Sequence, residues 1–532
     1  MTLVLGIHRD PFHNTGAAIL RDDGKEISVV AISEERLDRN KDSALFPSKA
    51  ISYCLKAVGA GDISDCDLIV SDYIFDQDWR LDRDRTFIAK LSSLKNRFRR
   101  GRALHKINGE QVIFVNHHLA HAYSAYFGSG FDDAAILVVD GHGSIINKAS
   151  KAKSFELSDR FETQSLYEID SFGEIQLIES SANPGIGRFY QAFTKVLGFG
   201  DLQEGKTMGL APYGQSEESL GIDFSPERKG VSTDYSKVLS NLRGSLRHKL
   251  PAAGNIKVEM SALYRRLAFE VQQEAESSMV YLAEYARRTT GKTNLCLAGG
   301  VALNSVANQV VARNRIFSNV WIQPASSDTG IPLGCALYGY YSVLKGRKDW
   351  KMKNAYLGLS YSDAKIAEAL KKFQEDIHVE KDLTYSKTAR LLANGKIVGW
   401  FCGGSEYGPR ALGHRSILMD PRKQENKDIL NHKVKHREPF RPFGPSVLKE
   451  KAKDYFRLEE ESPFMLLVPE VRPEKRNEIP AVTHVDGSAR VQTVTKKDND
   501  LYYELISAFY ELTGTPVLLN TSFNVAGEPI VE

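Results

Sequence analysis

A chain of 532 residues is too long for a single hydrophobic core, so two or more domains are expected. With 70 Lys and Arg against 67 acids, the net charge of +3 makes no electrostatic case for a polyanionic partner, and no nucleic acid is expected. Five scattered cysteines without a CxxC pair fit reduced thiols in a cytoplasmic protein, and no uncharged apolar run reaches membrane-spanning length.

Leu3 to Ile7 reads as a first strand, followed by a hairpin with apolar arms around Asp22, Asp23 and Gly24. The amino terminus meets His8, Arg9 and Asp10 before a signal-peptide core forms. The loop that carries His8, Asp10, His13 and Asn14 faces whatever the sheet edge binds. His13, a neutral imidazole near physiological pH, has the chemistry to take a proton from a hydroxyl. Glu34, Glu35 and Arg36, at the end of the second arm, are expected to reach the same place. A helix is expected from Pro47 and a strand near Leu68 to Ser71. Between Lys90 and Lys106 lie seven Lys or Arg and no acid, interleaved with Leu91, Leu94 and Phe98. That spacing admits an amphipathic basic helix whose charged face is solvated or turned to an anionic partner.

The segment Val115 to Gly143 concentrates the chemistry. On a helix His117 and His121 stand one turn apart and share a face, the spacing two imidazoles need to grip one metal ion, while His118 points elsewhere. Ala134 to Val139 reads as a buried strand that ends on Asp140, followed by Gly141, His142 and Gly143. Ser180 to Phe199 is a loop leading into a helix. Gly200 to Thr207 matches G-x-x-x-x-G-K-[ST] letter for letter, yet the residues before it, Arg188 to Leu197, read as a helix. A phosphate loop needs a buried strand there, so none is expected. Met260 to Thr290 has helical periodicity. Asn294 to Ala298 is a strand running into Gly299, Gly300 and Asn304, where two glycines let backbone approach a ligand closely. Asn319 to Gln323 is a further strand, and Asp328 follows it. Two strand-end aspartates beside the HxxxH helix make a mononuclear two-His, two-carboxylate site, suited to iron(II), manganese or zinc rather than calcium.

Charge rises and apolar periodicity lapses around Lys345 to Lys353, which divides the chain into domains 1–350 and 351–532. The second opens with a helix over Asp363 to Phe373. Its Gly-, Pro- and Ser-rich loops then carry Arg410, Arg415, Lys435, Arg437, Arg441 and Arg490, cations suited to phosphate or carboxylate groups. No internal repeat is visible, and the alternation of elements points to α/β architecture in the first domain and α+β in the second.

HHLAHA, VVDGHG, GKTMGLA, AGGVALN, SSDTG, GPRALGHRS, VKHREPFRPFGPS and LNTSFNVAGEPIV occur in this order over nearly the whole chain. Together they resemble the NodU/CmcH family of O-carbamoyltransferases, which modify antibiotics and nodulation factors. The resemblance implies that 1–350 is a carbamoyl transfer domain of the actin and sugar-kinase ATPase type, related to threonylcarbamoyl transferases. It implies that 351–532 is a YrdC-like domain that activates carbamoyl phosphate with ATP and Mg(II). It makes His117, His121, Asp140 and Asp328 ligands of Fe(II) or another divalent transition metal, and it places His13 near the acceptor hydroxyl. Arg410, Arg490 and Ser522 fall on the carbamoyl phosphate and nucleotide site together with Lys435 and Arg441, the two catalytic cations. Gly299, Gly300 and Asn304 fall on the nucleotide-facing turn of the first domain, and Lys206 belongs to the GKTMGLA motif.

The implied reaction forms carbamoyl-adenylate and carries its carbamoyl group to a hydroxyl of a small-molecule acceptor, a natural product or a sugar. A homo-oligomer is compatible with this. The rival readings are a tRNA threonylcarbamoylation-type enzyme and a non-catalytic ATP-binding regulator of actin fold. Family members continue beyond GEPIVE, so a tail that supports stability or activity is expected to be missing.

Overall fold

The computed structural model describes residues 1–10, 13–73, 98–99, 102–107, 110–147, 160–170, 173–243, 261–380 and 384–532. They form two units, one of Met1–Asp38 with Asp42–Met352, the other of Arg39–Lys41 with Lys353–Glu532.

Two sheets build the first unit. The first contains β1 (Thr2–His8), β2 (Gly16–Asp22), β3 (Ile27–Ser33), β4 (Leu68–Tyr73), β5 (Phe98–Arg99), β6 (Arg102–Ile107) and β7 (Glu110–Asn116), in the order β3-β2-β1-β4-β7-β6-β5. β1, β2 and β3 form an antiparallel meander, and β4 and β7 continue parallel to β1. The second contains β8 (Ala135–Val139), β9 (Gln164–Ile169), β10 (Ile175–Ser181), β11 (Asn294–Ala298) and β12 (Asn319–Ile322), in the order β10-β9-β8-β11-β12. Again the first three strands are antiparallel and the last two run parallel to the first. The same connectivity thus occurs twice, although no sequence repeat announces it. Parallel strands need crossovers, and buried runs such as Ala135 to Val139 are the pattern of strands covered on both faces.

The helices of this unit include α1 (Ser48–Val58), α2 (His117–Ser129), α3 (Ile186–Val196), α4 (Glu204–Leu210), α5 (Ala262–Thr290), α6 (Ser305–Arg313) and α7 (Ile331–Tyr338). α1 follows Pro47 and stops at Gly59 in the left-handed region, and it buries Ala50, Ile51, Cys54 and Leu55 against Leu5, Ile7, Ala17, Ile19 and Ile32. Each large aliphatic side chain so buried contributes on the order of 1.5–3 kcal/mol. α2 buries nearly all of its residues, its histidines included, and α7 buries every one.

The second unit has one mixed sheet of β13 (Val398–Phe401), β14 (Arg415–Met419), β15 (Gly444–Leu448), β16 (Gln492–Val494) and β17 (Val517–Ser522), in the order β13-β14-β17-β15-β16. Only the β15–β16 pair is parallel. Helix α8 (Asp363–Lys371) buries none of its residues, whereas α9 (Tyr385–Ala393) and α10 (Asp500–Thr513) cover one core through Ala389, Leu392, Tyr502, Leu505, Ile506 and Phe509.

Two expectations need correction. Glu34 and Glu35 do not turn to the loop site. Glu34 accepts hydrogen bonds from the amides of Lys49 (3.2 Å) and Ala50 (2.7 Å) at the start of α1, where a carboxylate meets the positive end of the helix, and Glu35 accepts from the amide of Asp42 (2.8 Å). The described part of the basic stretch 90–106 is strand, β5 and β6, rather than helix; the remainder lies outside the described residues. Among the described residues no helix is long and apolar enough to cross a membrane.

Candidate metal centre and cation cluster

The parallel strands of the first unit deliver their side chains at carboxyl ends, where open α/β sheets bind ligands. β1 ends on His8, β4 carries Asp72 one residue before its end, β7 runs into α2 at His117, β8 leads to Asp140, β11 to Gly299, and Asp328 follows β12. The Asn116 side chain caps α2 by accepting from the amide of Leu119 (2.9 Å), which sets His117 and His121 on the first turns of the helix.

One ligand atom from each of His117, His121, Asp140 and Asp328 lies within 4.8 Å of the others, and all four residues are buried. His121 Nε2 is 3.1 Å from Asp140 Oδ2 and 3.6 Å from Asp328 Oδ1. His117 Nε2 is 3.6 Å and 3.4 Å from the same two oxygens and makes no hydrogen bond among the described residues. Asp140 is aimed by backbone: its Oδ1 accepts from the amides of Gly141 (2.6 Å) and Gly300 (3.3 Å), leaving Oδ2 for the imidazoles. Two imidazole nitrogens and two carboxylate oxygens, buried and converging, fit a divalent transition metal and leave coordination positions open.

The electrostatics agree. Burial works against charge on His117, yet Asp328, Asp140 and Asp72 hold its pKa well above the ordinary histidine value. His121 is likewise raised, against burial, by Asp140 and Asp328. Burial would push the Asp140 and Asp328 carboxyls up, but the facing imidazoles hold both below the usual carboxylate range. His118 is turned away, with Nδ1 2.7 Å from the Ser165 hydroxyl, and burial pushes it down to about 3, so it stays neutral. His13 sits at the edge: Nδ1 is 3.7 Å from Asp328 Oδ2 and the side chain is 28% exposed, open enough to meet a substrate.

The remaining first-unit residues singled out in the sequence divide. Gly299 has φ +89, and a Cβ there would collide with the carbonyl oxygen of Val139 in the next strand, so only glycine fits. Gly300 reaches Asp140 through its amide. Asn304 caps α6 by accepting from the amide of Ala307 (3.1 Å) and exchanges two hydrogen bonds with Gln272, which ties α6 to α5. Lys206 lies on α4 with its ammonium 5.6 Å from the centre of the Phe199 ring. The residues before it are helix α3, which agrees with the absence of a phosphate loop.

In the second unit Arg410, Lys435, Arg437, Arg441 and Arg490 come together. Burial lowers Arg410 well below its ordinary pKa, with Arg490 and Arg441 adding repulsion; burial and the other cations lower Arg437 to about 9 and Arg490 to about 10. Arg441 has one acid nearby, Glu438 at 3.7 Å. Lys435 Nζ donates to the carbonyl oxygens of Ser522 (2.9 Å) and Asn524 (2.9 Å), to Asn524 Oδ1 (2.6 Å) and to Ser522 Oγ (3.2 Å), which pins the end of β17 and brings Ser522 into the cluster. Arg415, by contrast, is fully buried under the Phe401 ring and donates to the carbonyls of Cys402, Gly403 and His414, so it builds the loop.

The family model described as Carbamoyltransferase N-terminus matches residues 3–337, and that described as Carbamoyltransferase C-terminus matches residues 389–532. The chain belongs to the carbamoyltransferase family. Similar proteins include sll1178 of Synechocystis, 36% identical over 100% of this chain and 92% of that protein, and the nodulation protein NolNO of Sinorhizobium fredii, 36% identical over 98% of this chain and 75% of that protein. Among solved structures, full-length HypF in its phosphate- and nucleotide-bound form is similar at TM-score 0.41 and 13% identity, over 65% of this chain and 47% of that one. A ROK hexokinase from Thermus thermophilus is similar at TM-score 0.33 and 14% identity, over 65% of this chain and 100% of that one. Likeness at this level carries no argument about function.

Two residues of the candidate metal site, Asp72 and Arg188, escaped the sequence reading, which placed His8 only on the loop facing the sheet edge. Asp72 is fully buried, 2.8 Å from His117 Nδ1 and 2.9 Å from His8 Nδ1. His8 is the second imidazole on that carboxylate. Arg188 donates from Nε to the carbonyl of Gly141 (2.8 Å) and so holds the residue after Asp140. A signal for Asp72 was present: it follows the apolar run Leu68 to Val70 as Asp140 follows Ala134 to Val139.

Proposed function

We propose that this carbamoyltransferase moves a carbamoyl group from carbamoyl phosphate to a hydroxyl of a small-molecule acceptor, using ATP and two chemically distinct sites. The observation that carries the proposal is the gathering of Arg410, Lys435, Arg437, Arg441 and Arg490 in the second unit. Burial first, and then repulsion between like charges, lowers the pKa values of Arg410, Lys435 and Arg437, and a polyanion such as ATP with carbamoyl phosphate relieves that repulsion. There water cleaves carbamoyl phosphate to carbamate and phosphate, and a carbamate oxygen then attacks the α-phosphate of ATP, forming the carbamoyl-adenylate mixed anhydride and releasing pyrophosphate. The second unit is taken as YrdC-like on the motifs GPRALGHRS and LNTSFNVAGEPIV, and the twice-used sheet order supports an actin and sugar-kinase type for the first.

Transfer belongs to the first unit. A divalent transition metal held by His117, His121, Asp140 and Asp328, with Fe(II) the expected ion, supplies a Lewis acid there when bound. His13, beside Asp328 and partly exposed, takes the proton from the acceptor hydroxyl as that oxygen bonds to the carbamoyl carbon and AMP departs as the leaving group. Gly141 and Gly300 amides keep Asp140 in place, and the enclosed walls of α2 and α7 limit water that would hydrolyse the anhydride.

The test is to incubate the protein with ATP, carbamoyl phosphate and Fe(II), offer sugars and macrolactams, and look for a mass gain of one carbamoyl group on the acceptor. ATP consumption that ignores carbamoyl phosphate, with no such gain, would count against the proposal.

A further inference from the structure

β1 leaves two ligating side chains at the carboxyl edge that the four-residue cluster does not use. His8 and Asp10 are 0% and 3% exposed, and one ligand atom from each lies within 4.8 Å of the other and of an Asp328 oxygen. The His8 ring is set in the same way as the ring of the metal ligand His117: each points Nδ1 at one oxygen of Asp72, at 2.9 Å and 2.8 Å. A carboxylate behind the imidazole is the usual support of a metal-ligating histidine, and here one carboxylate gives it twice. With Nδ1 committed, Nε2 is the nitrogen left to ligate; it is buried and makes no hydrogen bond among the described residues. Buried polar nitrogens normally find a partner, and an imidazole grouped with two carboxylates is a donor set that fits a cation. Asp328 suits sharing, because Oδ1 faces His117 and His121 while Oδ2 is on the side of His13.

We infer that His8, Asp10 and Asp328 form a second divalent-cation position, with Asp328 bridging it to the first. This rests on the metal reading of the His117, His121, Asp140 and Asp328 cluster. It takes an ion of the same class, Mn(II), Fe(II) or Zn(II), since its donors are again imidazole nitrogen and carboxylate oxygen. Two cations on one carboxylate can hold both the incoming and the departing oxygen of a group transfer.

The experiment is equilibrium loading of the full chain with Mn(II), read as metal content and as the electron paramagnetic resonance spectrum of the bound ion. The wild type is expected to saturate at about two Mn(II) per chain with an exchange-coupled spectrum, as for paired ions about 3.5–4 Å apart. Asp10→Asn and, separately, His8→Gln are expected to saturate at about one, with an uncoupled spectrum; either one folded suffices, and the wild-type spectrum is decisive without them. A wild type that binds one uncoupled ion, lost in His117→Ala, overturns the second position and leaves the first standing. A wild type that binds none removes both. Two ions retained in Asp10→Asn and in His8→Gln place the second ion elsewhere and also overturn the inference.

Discussion

Asp72 and His117 are joined by a fully buried hydrogen bond of 2.8 Å between Oδ2 and Nδ1. Burial would push the Asp72 carboxyl up, but the His8 and His117 imidazoles hold it far below the carboxylate range, so it is ionised and can only accept. His117 therefore donates from Nδ1, which leaves Nε2, directed at Asp140 and Asp328, as the nitrogen that ligates a metal ion on giving up its proton.

This relationship predicts the behaviour of Asp72→Asn. The amide replaces one accepting oxygen by a donor, so it cannot serve both imidazoles, and His117 loses its fixed tautomer or its orientation. Metal affinity is expected to fall by about ten- to a hundredfold. Mn(II) titration against a competing chelator reads this directly. An unchanged affinity, with thermal unfolding of the metal-free protein shifted alone, would make Asp72 a packing residue only.

Gly299→Ala should damage the same site from the backbone side. Positive φ alone strains an L-residue by on the order of 1–3 kcal/mol, and the added methyl meets the Val139 carbonyl, which lies directly before Asp140. Gly291 provides the control: it too has positive φ, 68°, but nothing lies within 4 Å of its Cβ position. Thermal unfolding should fall further for Gly299→Ala than for Gly291→Ala, and only the former should weaken metal binding. Equal losses would mean that the clash relaxes without moving Asp140.

These tests follow the line between what was legible in the sequence and what was not. Local chemistry was legible. The His117/His121 spacing, the strand-end position of Asp140 and Asp328, and the helix before Gly200 each depend on neighbours a few residues away. The pairing of Asp72 with His8 and His117 depends on β1, β4 and β7 lying side by side, a long-range alignment that no local pattern encodes. Glu34 misled for a related reason. Its place at the end of the hairpin's second arm said nothing about α1, whose first amides claim its carboxylate. Lys435 looked like a plain cation, but the oxygens of Ser522 and Asn524 that surround it come from the far end of the chain.

Lys435 also gives a pH dependence. Burial, then Arg437, Arg441 and Lys41, lower it from 10.5 to about 7 in the folded protein. Between those values the unfolded chain binds the extra proton and the folded one does not, so this group makes stability rise with pH across that window. Anion binding runs the other way, because the charged amine attracts the anion and is lost as pH rises through about 7. Sulfate, whose charge is constant in this range, should bind more weakly at about pH 8 than at about pH 6, and Lys435→Met should flatten the difference. Calorimetric titration at the two pH values decides it; a difference that survives in Lys435→Met assigns the titration to another group.

The final prediction concerns the separation of the two half-reactions. Arg441→Ala removes a cation from the second-unit cluster and is expected to stop pyrophosphate release from ATP and carbamoyl phosphate, so no acceptor is carbamoylated. His13→Ala leaves that cluster intact and should keep acceptor-independent pyrophosphate release while losing ester formation by about a hundred- to ten-thousandfold, the usual effect of removing a general base. Lys206→Ala should release pyrophosphate at the wild-type rate, since its ammonium, carried on α4, faces the Phe199 ring rather than a phosphate loop. Supplying synthetic carbamoyl-adenylate sharpens the division. It should restore transfer in Arg441→Ala, whose His117, His121, Asp140 and Asp328 cluster is untouched, and fail to restore it in His13→Ala. The reverse pattern would exchange the chemistry of the two units, and equal loss of both steps in both variants would mean that one shared site performs them.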